Sequence, residues 1–158
     1  MSTVITAPAP LPEMAEGPQL FLAGGITNVA DWQETAVAAL AGCPGTLYNP
    51  RRVSYDHLNP ALSTEQIEWE YAALDRSDAI LFWFADGGSP QPITLYELGS
   101  WARTTKTLIV GVHPDYVRSI DVHTQLGLLR PGLHISDTLD NVLVRASEYL
   151  HEDTRRAV

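Results

Sequence analysis

Asp78-Ala79-Ile80-Leu81-Phe82-Trp83-Phe84 decides the fold. After its opening acid the run is apolar at both alternating sets of positions, so neither face of the strand it forms meets water. Strands of that kind lie inside parallel sheets covered by helices on both sides. Working outward, Gln19-Leu20-Phe21-Leu22-Ala23 and Thr107-Leu108-Ile109-Val110-Gly111-Val112 repeat the pattern. Thr46-Leu47-Tyr48 and Leu133-His134-Ile135 are shorter versions of it. Helical signals fill the intervals. Asn28 suits an N-cap for a helix over residues 28–41, stopped by Gly42 and Pro44. Ser63 and Gln66 form a capping box for a helix over 63–75, with Ile67, Tyr71 and Leu74 inward. Pro90 and Pro92 open a helix that runs to about residue 105, with Leu95, Leu98 and Ala102 on its sheet-facing stripe. Residues 119–129 read as a short helix or an irregular segment. Asp137 caps a last helix over 138–151, with Leu139, Val142, Leu143 and Ala146 inward.

The alternation predicts an α/β fold: a single doubly wound, Rossmann-like or flavodoxin-like domain with a five-stranded parallel sheet and right-handed crossovers. Residues 1–18, rich in Pro, Ala and small polar residues, read as a flexible N-terminal tail. The domain then spans 19–151, and 152–158 fray.

A chain of 158 residues is long enough for one domain with a sizeable core. Its formal net charge of −9 offers no basic stripe for a nucleic acid polymer. A free nucleoside or nucleotide remains open, because one local basic pocket suffices for it. Cys43 is the single cysteine, so neither an internal disulfide nor a cysteine metal cage is expected. The five histidines lack ligand spacing, and no metal or cofactor is expected. No apolar run reaches the ~18 residues of a membrane span, and a signal peptide pattern is missing, so no membrane partner and a cytoplasmic location are expected.

In such sheets ligands bind beyond the carboxyl ends of the strands, at the switch point. Four features fall there. Gly24-Gly25 turns sharply after the first strand and leaves N–H groups open to a ligand, although it completes neither a GxGxxG nor a Walker pattern. Asn49-Pro50-Arg51-Arg52 offers two guanidinium groups, which either hold a phosphate or carboxylate or divide between solvent and an acid such as Glu70. Trp83 to Asp86 ends the central strand, with Asp86 either a turn former or a second acid. Glu97 lies off the apolar stripe of its helix, beside Thr94, Ser100 and Trp101. It is either a solvated surface glutamate or a carboxylate facing the cleft.

The segments Phe21-Leu22-Ala23-Gly24-Gly25-Ile26, Asp31-Trp32-Gln33, Asn49 to Arg52, Gln66-Ile67-Glu68-Trp69-Glu70, Asp78 to Phe84, Ile93-Thr94-Leu95-Tyr96-Glu97-Leu98-Gly99 and Val110 to Tyr116 resemble the nucleoside 2-deoxyribosyltransferase-like proteins. The resemblance runs through nearly all of the chain after residue 18. It implies that Glu97, in Glu-Leu-Gly, attacks the anomeric carbon of a nucleoside and displaces the base. It implies that Asp78 positions the base or handles its proton, with Asp86 a substitute second acid. The resemblance puts Phe21 beside the substrate and implies a homo-oligomer; further substrate contacts are expected at Gly24, Gly25, Asn49, Arg51 and Trp83 from their place at the carboxyl edge of the sheet. Two positions depart from the transferases: Phe21 stands near their nucleophile-orienting tyrosine, and Gln91 stands where they carry an aspartate. Three activities follow: N-glycosyl transfer between bases, hydrolysis of a nucleoside or nucleotide N-glycoside, and nucleotide binding without turnover.

Overall fold

The computed structural model describes residues 1–54 and 58–156. Those residues form one parallel sheet of six strands: β1 (Thr3–Thr6), β2 (Gln19–Gly24), β3 (Thr46–Asn49), β4 (Ala79–Phe84), β5 (Thr107–Val112) and β6 (Ile135–Ser136), in the order β1-β3-β2-β4-β5-β6. The helices are α1 (Trp32–Leu40), α2 (Pro60–Arg76), α3 (Pro92–Trp101), α4 (Ser119–Leu129) and α5 (Leu139–Arg156).

β4 is buried along its whole length between β2 and β5, as its two-sided apolar pattern requires. Its alternation divides the core. Ile80, Phe82 and Phe84 join Phe21, Ala23 and Val110 under α2, α3 and α4. Leu81 and Trp83 join Leu20, Leu22 and Ile109 under α1 and α5. Full burial of one such side chain stabilises by about 1.5–3 kcal/mol. The chain leaves β2 outward to β3 and then crosses back to β4. The carboxyl ends of β2 and β4 therefore form the switch point.

Several boundaries differ from expectation. α3 ends at Trp101 rather than near residue 105, and the last strand is Ile135–Ser136 rather than 133–135. The sheet has a sixth strand, β1, from the segment read as a tail; Thr3 to Thr6 pair in register with Thr46 to Asn49. β-branched Thr3, Val4, Ile5 and Thr6 suit a strand, and an edge position needs only one partner. α1 begins at Trp32, capped by Asp31 Oδ1 accepting from the Glu34 amide at 2.9 Å, because Asn28 sits in the left-handed region at φ 56. α2 begins at Pro60 because Asn59 caps it, accepting from the Ala61 amide at 3.1 Å, which overrides the Ser63 box. α5 continues past residue 151 to Arg156. Of the loop expected at 53–62, residues 55–57 lie outside the described residues.

The inward face of α2 also differs. Gln66, Trp69, Ala73 and Leu74 are buried, whereas Ile67 and Tyr71 are 63% and 71% exposed. A polar Gln66 occupies the buried stripe, so a search for apolar periodicity selects the wrong side.

Gly111 on β5 shows how closely α5 approaches the sheet. A Cβ there would lie 2.7 Å from Trp83 Cε3 and 3.0 Å from Val142 Cβ. Gly111→Ala is expected to destabilise by about 1–3 kcal/mol. A thermal melt should show Tm lower by roughly 2–12 °C; an unchanged Tm would contradict this packing.

Candidate active site

A cleft of about 410 Å³ opens at the carboxyl end of β2, between α2 and α3. Phe21, Ala23 and Gly24 to Thr27 form its floor and back. Gln66, Ile67 and Glu70 of α2 face Ile93, Thr94 and Glu97 of α3 across it, with Pro50, Arg52, Ser63, Ser89, Gln91 and Pro92 at the rim. Its charged lining among the described residues is Arg52, Glu70 and Glu97.

Gln91 sets the position of α3. It is buried at φ 45, in the left-handed region, immediately before Pro92. Its Oε1 accepts from the Gly25 amide at 3.0 Å, and its Nε2 donates to the Ala85 carbonyl at 2.9 Å. The Tyr116 hydroxyl donates to the Pro90 carbonyl at 2.7 Å, with its ring against Phe84. One and a half turns later α3 presents Glu97 to the cleft.

Glu97 is half-buried, and among the described residues no hydrogen-bond donor reaches its carboxylate. Desolvation, followed by repulsion from Glu70, pushes its pKa up to about 8. Glu70 is raised as well by burial, but Gln66 and Arg52 favour its charged form. Gln66 Nε2 donates to Glu70 Oε1 at 2.7 Å. The two acids therefore differ in environment: Glu97 is the one that keeps a proton at neutral pH, and Glu70 is the one supported as an anion.

The other expected site residues separate into those at the cleft and those away from it. Phe21, Gly24 and Gly25 line it. The Gly25 amide, however, is bonded to Gln91, and both glycines serve close packing. A Cβ on Gly24 would meet Trp32 at 2.5 Å, and one on Gly25 would meet Gln91 at 2.7 Å. Asn49 is outside the lining, and its Oδ1 accepts from the Arg51 amide at 3.0 Å. Arg51 is outside the cleft lining. Its Nη2 donates to the Ile26 and Val29 carbonyls at 2.8 Å each, and Nη1 lies 3.5 Å from Asp31. It holds the loop after β2. Arg52 is the arginine at the cleft; its Nε donates to Gln66 Oε1 and its Nη1 lies 2.7 Å from Glu65. Trp83 is outside the lining as well: alternation along β4 sends it to the α1 and α5 face, beside Gly111.

Neither expected second acid meets Glu97. Asp78 lies at the amino end of β4, exposed, where its Oδ2 accepts from the Gln19 amide at 2.8 Å. A strand of six residues is roughly 20 Å long, so Asp78 and the cleft stand at opposite edges of the sheet. Asp86 is exposed in the loop before α3 and outside the lining. Sequence reasoning missed Glu70, Arg52 and Gln66 as one cleft wall. The signal for them was the Gln66/Glu70 pair at i, i+4, one helical face.

A family model described as nucleoside 2-deoxyribosyltransferase like matches residues 17–116, well over half of the chain. No curated protein matches it. Among solved structures, a conserved protein from Enterococcus faecalis V583 is similar at TM-score 0.46 and 15% identity, over 90% of this chain and 99% of that one. Among the described residues no helix is long and apolar enough to cross a membrane.

Burial of Glu97 has a thermodynamic consequence. When folded it releases its proton near pH 8, and when unfolded near its ordinary value. Between those values the native state binds the extra proton, so stability falls as pH rises. Glu97→Gln removes that fall. The variant should melt close to wild type near pH 4.5 and at least 2–4 °C higher at pH 8, a gap of about 1 kcal/mol or more. A gap that does not grow with pH would contradict the desolvated carboxyl.

Proposed function

Because the chain belongs to the nucleoside 2-deoxyribosyltransferase-like family, we propose that it transfers the sugar of a nucleoside between bases through a glycosyl ester on Glu97. The observation that carries this reading is the pair of unequal glutamates facing each other across an apolar cleft. Glu97 is the nucleophile and Glu70 the proton carrier, in place of Asp78. The pair holds one proton, which moves to Glu70 as substrate enters. A Glu97 oxygen then bonds to C1′ while the C1′–N bond breaks and its electron pair leaves with the base. The base nitrogen takes the proton from Glu70. In the second half, an acceptor base or water attacks C1′, the ester electrons return to Glu97, and Glu70 takes the attacker's proton.

The walls suit a planar base: Phe21, Ile26, Ile67, Ile93 and Pro50 are apolar. The charges favour a nucleoside over its 5′-monophosphate. Arg51 is held by backbone carbonyls, Arg52 is paired with Glu65, and two carboxyls share the cleft. Hydrolysis, with water as acceptor, uses the same two glutamates. Binding without turnover is the reading that two positions support. Phe21 brings no hydroxyl, and the Gln91 amide is engaged at both ends with backbone. Exposed Ile67 and Tyr71 on α2 and Ile93 and Tyr96 on α3 support the homo-oligomer that the resemblance implies.

Incubation with nucleosides and 5′-monophosphates, with and without a free acceptor base and read by chromatography, tests the proposal. Base exchange on nucleosides is the expected result, and free base with free sugar is the result of hydrolysis. Clear binding without any turnover would overturn both. Glu97→Ala should abolish turnover, Glu70→Gln should lower kcat by about 10²–10⁴, and Asp78→Asn should retain it. Loss of turnover in the Asp78 variant with Glu70→Gln unaffected would return the proton role to the far edge of the sheet.

A further inference from the structure

Gln66 is 6% exposed, and every polar atom of its amide is engaged. Arg52 Nε has only a proton to offer, so the atom facing it is the Gln66 oxygen. The Pro50 carbonyl can only accept, and Gln66 Nε2 donates to it at 2.7 Å. These two neighbours on the loop after β3 leave the amide one orientation. Its remaining N–H is thereby aimed along the helix at Glu70 Oε1, 2.7 Å away and four residues on. The orientation follows from which groups donate and which accept.

We infer that Gln66 is a positioning residue: its locked amide holds Glu70 as the hydrogen-bonded anion of the pair and so leaves the proton on Glu97 until substrate arrives. The inference deepens the glycosyl-transfer reading and rests on its assignment of the two glutamates. Among the described residues, the charged groups lining the cleft around Glu70 are Glu97 on α3 and Arg52 on the loop after β3; Glu65, on α2, is paired with Arg52. Burial works against the Glu70 anion, and Gln66 and then Arg52 favour it; Glu70 in turn raises Glu97. The Gln66 donor and the Arg52 charge therefore act in one direction. An N–H bonded to one carboxylate and not the other is what separates two otherwise similar acids.

The test is a titration of the ligand-free protein, labelled with ¹³C at the glutamate carboxyls and followed by NMR. Glu70→Gln and Glu97→Gln assign the two cleft signals. In wild type the Glu70 signal should titrate well below the Glu97 signal. In Gln66→Met, similar in size and without a donor, the Glu70 midpoint should rise by at least about 0.5 pH unit, roughly a threefold change in proton affinity. The acid limb of any kcat/KM profile should move with it. A Glu70 midpoint within 0.2 unit of wild type in the folded variant would overturn the inference, because a residue that only fastened α2 to the Pro50 loop would leave that midpoint alone. If Gln66→Met does not fold, Gln66→Asn, a methylene shorter with its amide kept, takes its place under the same expectation. The titration needs no turnover, so a protein that exchanges no bases yet shows the shift refutes the proposed activity and keeps the role of Gln66.

Discussion

One side-chain amide spans the crevice on which the site depends. Gln91 joins the end of β2, through the Gly25 amide, to the end of β4, through the Ala85 carbonyl. Those two strands are neighbours in the sheet, but their following loops diverge to opposite faces. Without a bridge the crevice edges are two independent loops. With it, the turn before α3 has a defined start, and a buried left-handed residue followed by Pro92 sets the direction of the helix. Left-handed backbone is unfavourable for a residue with a Cβ, and both ends of the amide offset that. The absence of side chains at Gly24 and Gly25 is the matching condition, since either Cβ would meet Trp32, Trp83 or Gln91.

The sheet then divides two tasks. The face under α1 and α5 is closely packed, and Trp83, Gly111 and Val142 meet there. The face under α2, α3 and α4 is packed as far as Phe21 and Trp69 and opens beyond them into the cleft. Polar groups on that open side are arranged in a chain from Glu65 through Arg52 and Gln66 to Glu70. Glu97 faces the end of that chain from another helix without a donor of its own. The difference between two chemically identical side chains comes from that arrangement.

Much of the fold was legible because it rests on strand pattern. The two-sided apolar run of β4 implied its central place, and Leu98, Ala102, Val142 and Ala146 lie inward as their spacing implied. Glu97 was legible from its place off the apolar stripe. The pairing of acids was not. Asp78 opens β4 and Glu97 follows it, so they are close in sequence order of elements but at opposite ends of a strand. Glu70, by contrast, reaches the cleft through tertiary packing of α2. Which of the two arginines meets the cleft was not legible for a related reason: adjacent residues after a strand point in different directions, and which one meets carbonyls depends on the loop at residues 26–29. The buried face of α2 was misread because hydrogen bonds, not apolarity, satisfy Gln66.

The first residues of the chain have a part in this that their composition hides. The Ala7 amide donates to the Asn49 carbonyl at 3.0 Å, Trp69 Nε1 donates to the Ala9 carbonyl at 2.8 Å, and Arg76 donates to the Pro12 carbonyl. Trp69 leans on Phe21, a cleft-lining residue, and Glu70 is its neighbour on α2. The family match begins at residue 17, but the scaffolding under the second glutamate begins near residue 3. A truncation drawn at the homology boundary would keep every residue of the cleft and remove the clamp that sets the pitch of one wall.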